Sequence, residues 1–331
     1  MNYIGSKHKL SGFIKQCVYD VCGTDIQNKV LCDLFAGTGI VGRNFKTEVQ
    51  SVIANDLEYY SYVLNRNYIG NHTAFDTEGL INQLNKVAGV SGFITQEYGA
   101  TGKAGRQYFT TENAQKIDGC RQAIELWKNK GSITEDAYFF LLASLLESAD
   151  KVANTASVYG AFLKHIKKSA AKSLTITAAY FETTTTTHTV FQEDSNTLIK
   201  TISGDILYLD PPYNARQYGA NYHVLNTIAK YDTFVPQGKT GLRPYQKSAY
   251  CSKPKVEQAF EDLIKNAQFK YVFLSYNNEG LMPATAVKRI MEQYGKYDLM
   301  TTHYQRFKAD KTENRNHKAS QTTEYIHILE K

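Results

Sequence analysis

Proline and cysteine are scarce in this 331-residue sequence, with six and five residues respectively. No apolar stretch approaches the roughly 20 residues that a membrane-spanning helix needs. The opening Met1-Asn2-Tyr3-Ile4-Gly5-Ser6-Lys7-His8-Lys9 also lacks the apolar run of an export signal. The expectation is a soluble, cytoplasmic protein with no membrane partner. The cysteines (Cys17, Cys22, Cys32, Cys120, Cys251) are odd in number and never form a C-x-x-C pair. That argues against a disulfide framework and against a zinc site, so no metal is expected and the thiols are read as reduced.

Low complexity is confined to one short threonine run, and a composition of 42% hydrophobic and 21% charged residues is that of a folded globular protein. The length suits a main domain with a smaller inserted or appended one. A formal charge of +6 is compatible with a polyanionic partner, because each lysine or arginine set on a phosphate releases a condensed counterion. Charge of this size permits such a partner without demanding it.

Val30-Leu31-Cys32-Asp33-Leu34-Phe35 reads as a buried strand, followed at once by the glycine turn Ala36-Gly37-Thr38-Gly39 and a helix over 40–45. A second strand, Ser51-Val52-Ile53-Ala54-Asn55-Asp56, ends in an acidic residue and precedes a helical pattern over 57–68. Two further strands are expected at 205–210 and 271–276. Strand-like runs at 297–307 and 323–329 around the polar stretch 308–321 suggest a long-looped hairpin, which would add an antiparallel strand to a parallel sheet. The middle, 71–190, differs in character. It holds an amphipathic helix at 137–151, a glycine and basic patch at 99–106, a basic tract at 164–172, and an edge strand expected over 181–190 through the threonine run. The sequence is therefore divided into 1–70 plus 191–331 as one α/β domain and 71–190 as an inserted, mainly helical region.

Asp210-Pro211-Pro212-Tyr213 stands where a strand gives way to a loop, the position at which doubly wound sheets bind ligands. Two prolines stiffen the loop and remove two backbone donors, which leaves carbonyls and a carboxylate able to accept from an amine. A D-P-P turn also arises by chance, with the aspartate capping the turn and the tyrosine packing. The turn at 33–39 contains a bare G-x-G, which lets a backbone approach a ligand without implying phosphate binding. Asp56 sits where cofactor domains place a ribose-binding carboxylate, and where a helix N-cap would also sit.

Taken in order, these pieces resemble the Dam-type family of adenine-N6 DNA methyltransferases, the permuted group whose N-terminal cofactor motif precedes the glycine turn. The resemblance covers roughly 1–68 and 191–331. It implies a Rossmann-like α/β fold with a mostly parallel sheet and an antiparallel C-terminal strand, S-adenosylmethionine as methyl donor, and double-stranded DNA as substrate. It places Tyr3, Ile4, Gly5, Ser6 and Lys7 at the cofactor, Asp33, Phe35, Ala36, Gly37, Thr38 and Gly39 around its methionine part, and Asp56 on its ribose. Asp194, before the catalytic strand, is chosen for the cofactor's adenine, with a solvated loop as the competing reading. Asp210, Pro211, Pro212 and Tyr213 become the catalytic motif. Asp210 touches cofactor and amine, and Tyr213 stacks on a base rotated out of the duplex.

The 71–190 region corresponds by position to a target-recognition domain. Lys103, Arg106, Lys164, Lys167 and Lys168 are candidate DNA contacts, as are Arg216, Tyr218 and Asn221 in a polar, aromatic loop that could close over the base. Each is equally readable as surface. Cytosine-N4 methylation is a rival, although such enzymes usually carry serine at the position of Asp210. RNA or protein methylation through an N-P-P-Y motif is disfavoured by the aspartate. A non-catalytic DNA-binding protein on the same fold is the reading from another class. The resemblance also implies a restriction-modification setting with a separately encoded endonuclease.

Overall fold

The computed structural model describes residues 7–71, 73–305 and 321–331. The expected cofactor residues Tyr3, Ile4, Gly5 and Ser6, and most of the polar stretch between the last two strands, lie outside the described residues. The backbone divides into two compact units. One holds the described residues of Lys7–Leu57, Thr186–Gln217 and Lys247–Lys331, and the other holds Glu58–Thr185 and Tyr218–Gln246.

The first unit is built on a seven-stranded sheet of β1 (Val30–Asp33), β2 (Ser51–Asn55), β3 (Thr189–Phe191), β4 (Ser203–Leu209), β5 (Gln268–Asn277), β6 (Lys296–Gln305) and β7 (Gln321–Glu330). The spatial order is β3-β2-β1-β4-β5-β7-β6. Strands β1 to β5 pair in parallel, while β7 runs antiparallel to both β5 and β6. This is a Rossmann-like α/β sheet with an antiparallel hairpin at its end, as expected. Strand order reverses between β1 and β4, so the carboxyl ends of these two strands flank a topological switch point, where such sheets bind ligands.

Side chains alternate across a strand, and here the alternation keeps one face apolar and places several polar groups on the other. Leu207, Leu209, Val272 and Leu274 point to one face. They pack there against Phe260, Leu263 and Ile264 of helix Val256–Asn266 and Val287, Ile290 and Met291 of helix Ala284–Met291. Each such burial is worth about 1.5–3 kcal/mol. The intervening positions carry Asp33 and Tyr208, paired across β1 and β4, to the opposite face, with Ser275 and Glu324 further along β5 and β7 on that same face.

The edge strand forms only at Thr189–Phe191, not through the threonine run. The ring nitrogen Nδ1 of His188 accepts from the Val52 amide, and the Thr187 carbonyl accepts from the Ser51 hydroxyl, so side chains replace the ladder until Thr189.

The second unit is mainly helical. Its helix Glu135–Lys151 is buried on nearly every side, from Ala137 through Leu146, rather than being amphipathic. That is the signature of a central helix. Residues 153–188 contain no helix or strand, yet they are pinned to the unit by side chains. Asn154 holds the Leu163 carbonyl and Lys167 amide, Asn113 the Ala170 and Lys172 carbonyls and Leu174 amide, and Asn85 both backbone groups of Ile176.

The expected loop at 218–223 is instead helical, with Tyr218–Asn221 and His223–Lys230 in succession. Tyr222 and His223 are fully buried. Burial lowers the His223 pKa to about 4, and its Nε2 lies 2.9 Å from the Tyr159 carbonyl, so this histidine is a neutral packing group.

Asp118 is a heavily committed polar group in the helical unit. Fully buried, it accepts from the amides of Gly92, Ile94 and Thr95 and from the hydroxyls of Thr95 and Tyr231, at 2.6–3.0 Å. A Cβ on Gly92 would fall 2.5 Å from the Tyr231 hydroxyl and 2.7 Å from Asp118, so the close approach requires glycine. Asp118→Ala strands several buried donors at about 1–3 kcal/mol each. It should destabilise the unit by roughly 3 kcal/mol or more, read as a lowered midpoint in urea unfolding. An unchanged midpoint would show that the donors find other partners.

Candidate active site

Asp210 follows directly on β4, and its side chain meets that of Lys7, which enters from a single 3-10 turn, Lys7–Leu10. The Lys7 Nζ lies 3.2 Å from Asp210 Oδ1 and 3.6 Å from Glu324 Oε2. Lys7 is almost completely buried, as are those two carboxylate oxygens, whereas 16% of the Asp210 side chain remains open. The same Nζ stands 5.5 Å from the centre of the Tyr213 ring. Burial works against the Lys7 charge, but Asp210 and Glu324 outweigh it and hold the ammonium above the ordinary lysine range. Burial also pushes Asp210 up to about 6, with Lys7 pulling it down and Glu324 pushing it up.

Tyr213 is fixed from behind. Its ring meets Tyr276 edge-on with centroids 6.1 Å apart, and its carbonyl accepts from the Leu281 amide at 3.0 Å. Burial raises its hydroxyl pKa to about 12, so the ring is neutral. Pro211 is buried and Pro212 half-buried, as suits a stiff loop.

The glycine turn follows β1. Gly37 and Gly39 have φ of 53° and 73°, a backbone conformation that side chains disfavour. The Gly37 amide donates to Asp56 Oδ2 at 2.8 Å and the Gly42 amide to Asp33 Oδ2 at 3.0 Å. Burial pushes Asp33 up to about 7, helped by the charges of Asp210 and Asp56 and opposed by the Gly42 amide. Phe35 packs edge-on against Tyr250 at 5.0 Å. Ala36 is buried and Thr38 half-buried in the turn.

Three residues here carry no recognisable local motif. Glu324 arrives through the register of β7, and Tyr250 backs Phe35. Asn55, buried at the end of β2, donates to the Leu34 and Glu193 carbonyls and accepts from the Glu193 amide at 3.0–3.1 Å, tying three chain segments together. A polar residue ending an apolar strand was the available signal for Asn55.

The remaining expected residues are scattered. Asp194 is exposed and caps helix Ser195–Leu198, accepting from the Asn196 and Thr197 amides. Arg216 is exposed in the sheet unit. In the helical unit, Arg106 is largely buried and bonds to Glu97 and to the carbonyls of Gly238 and Lys239. Lys103 is exposed beside Glu97, its Nζ 2.8 Å from Oε1. Lys164 and Lys168 are exposed, while Lys167 donates to the Thr155 carbonyl at 2.6 Å. Tyr218 stacks with Tyr222, and the Asn221 carbonyl accepts from the Tyr159 amide.

Asp33 thus feels the charges of both Asp56 and Asp210, an arrangement that disfavours full ionisation of the group and fits a cationic ligand. The fold and site can be set beside known proteins. A family model described as D12 class N6 adenine-specific DNA methyltransferase matches residues 3–290. The type II methyltransferase M.NlaIII of Neisseria lactamica is 62% identical, over 100% of this chain and 99% of its own length. M.CviAII of Paramecium bursaria Chlorella virus 1 is 39% identical, over 93% of each chain. M.FokI of Planomicrobium okeanokoites is 38% identical over 100% of this chain, which spans 53% of that relative.

Because the raised Asp33 pKa lets the folded protein keep a proton that the unfolded chain releases, its stabilising contribution is complete below the ordinary carboxylate pKa near 4 and is lost as pH rises through about 7. Asp33→Asn, which can still accept from Gly42, should flatten the fall in stability between pH 5 and pH 8 seen in denaturant titrations. An identical fall in both proteins would place the proton elsewhere.

Proposed function

The chain belongs to the D12 class of N6 adenine-specific DNA methyltransferases, and on that premise we propose that it transfers a methyl group from S-adenosylmethionine to the N6 amine of an adenine rotated out of duplex DNA. The observation that carries this reading is the gathering of Asp210, Lys7, Tyr213 and the Asp33–Asp56 glycine turn about the carboxyl ends of β1 and β4. When bound, the cofactor supplies an electrophilic methyl group on a cationic sulfur. Asp33, Phe35 and the Ala36–Gly39 turn would hold its methionine part, Asp56 its ribose, and the carboxylates would balance its positive charge.

The adenine amine is a weak nucleophile because its lone pair is drawn into the ring. With Oδ1 buried against Lys7, the Asp210 carboxylate has Oδ2 left to accept one amine hydrogen, and the Pro211 carbonyl can take the other. Acceptors held in place stabilise the positive charge that grows on nitrogen during transfer. Lys7 keeps Asp210 ionised and prevents the carboxyl from turning away. Tyr213, braced by Tyr276, offers a neutral aromatic face to replace the stacking that the base loses on leaving the duplex.

The helical unit would read the DNA site. Its exposed Lys164 and Lys168 lie in the pinned 153–188 stretch and suit phosphate contact, and Lys103, Arg216, Tyr218 and Asn221 are further candidates. Arg106, committed to Glu97 and two carbonyls, would shape that surface rather than touch DNA. The type II relatives suggest a restriction-modification role in the cytoplasm, protecting DNA from a separately encoded endonuclease.

Labelled methyl transfer to unmethylated duplex DNA, followed by nucleoside analysis, should give N6-methyladenine. Asp210→Ala should slow transfer by about 10²–10³-fold, the loss typical of a preorganised charge-stabilising group. N4-methylcytosine, or an unchanged rate in the variant, would overturn the reading. Lys164 and Lys168 changed together to alanine should weaken DNA binding and flatten its salt dependence by up to two phosphate contacts, measured by titration at several salt concentrations. An unchanged slope would remove these lysines from the interface.

A further inference from the structure

Asp210 has charged and titratable neighbours on every side. Lys7 approaches from the 3-10 turn, Glu324 from β7, Asp33 from β1, Tyr208 from its own strand and Tyr213 from the loop beyond. Lys7 is the cation among these groups. Glu324 pairs across the ladder with Asn277 and is buried, and its Oε2 has Lys7 as ion-pair partner among the described residues. A carboxylate in such a place is costly unless it is paired.

We infer that Glu324 is a positioning residue for methyl transfer: by sharing the Lys7 ammonium with Asp210, it keeps that ammonium from neutralising Asp210 alone and leaves Asp210 the more basic acceptor. The inference rests on the reading of Asp210 as acceptor of the target amine. An ammonium held by one carboxylate would pull electron density fully from it and weaken its grip on an amine hydrogen. Divided between two carboxylates, the same ammonium still fixes Oδ1 in place while withdrawing less from Oδ2. The repulsion between Glu324 and Asp210 acts in the same direction, and so does burial.

The test reads Asp210 directly. Carbon-13 labelling of aspartate carboxyls, with Asp210→Asn to assign the resonance, gives the Asp210 titration in the free protein. Glu324→Gln keeps the shape and removes the charge, so Asp210 should titrate about 0.5–1 pH unit lower, and Glu324→Asp should restore most of the wild-type value. In single-turnover methylation at saturating cofactor and DNA, the acid limb should move down with it and the plateau rate should fall, with cofactor affinity nearly unchanged.

An Asp210 titration that stays in place in a folded Glu324→Gln protein overturns the inference, whatever happens to the rate. Should the glutamine variant fail to fold, the wild-type protein decides the matter. Asp210 and Glu324 carboxyl resonances that share inflections support a common ammonium, and independent curves overturn it. A shifted titration with no effect of Asp210→Asn on methyl transfer would instead mean that the coupling is real and the catalytic reading is wrong.

Discussion

An ammonium group withdrawn from water needs negative charge close by, and the position of Lys7 imposes that requirement on three separate parts of the chain. The 3-10 turn delivers the lysine, the end of β4 delivers Asp210, and β7 delivers Glu324. The buried ammonium is stable in its place only with that negative charge beside it. Removal of one partner from a buried ion pair costs about 3–5 kcal/mol, because the remaining charge is left uncompensated. The cluster is therefore a structural joint whose geometry those charges enforce.

The sheet makes this possible by sorting its side chains. One face carries leucine, valine and phenylalanine against two helices, and the other carries Asp33, Tyr208, Ser275 and Glu324 among apolar neighbours such as Phe273 and Ile326. Parallel strands buried on both faces usually read as continuous apolar runs. Here the polar positions fall at strand ends, where the switch point opens the sheet to a ligand. Asp33 and Asp210 both sit at this boundary, which is why burial raises each pKa towards neutrality.

Much of this could be read along the chain. The apolar run at 30–35 followed by A-G-T-G, and the D-P-P-Y closing a second run, point to β1, β4 and the turns that follow them, because strand and turn are both local there. Asp56 was placed by the same logic. Glu324 could not be found in this way, since its partner is set by the pairing of β7 with β5, and one acidic residue in a strand pattern looks like solvent exposure. Burial of helix 135–151 on every side from Ala137 through Leu146 was equally hidden, because an apolar run with interspersed serines and acids resembles an amphipathic helix until its neighbours are known. The helical turn at 218–223, the lost pairing at His188 and the capture of Arg106 by Glu97 are tertiary effects of the same kind.

The interleaving of the two units has a consequence for how the molecule comes into being. Val30 and Asp205 bond across neighbouring strands although 175 positions separate them, and the Glu58–Thr185 part of the helical unit is synthesised in that interval. The centre of the sheet thus cannot close until that part of the helical unit has emerged, and contacts of such long range form slowly. During synthesis, β1 and β2 wait as a bare parallel pair with open edges, exposed to association with other chains. A helical unit that condenses early shortens the effective loop between β1 and β4. The rigidity that the asparagine and aspartate anchors lend to that unit would then serve biogenesis, drawing the two halves of the sheet within reach of each other.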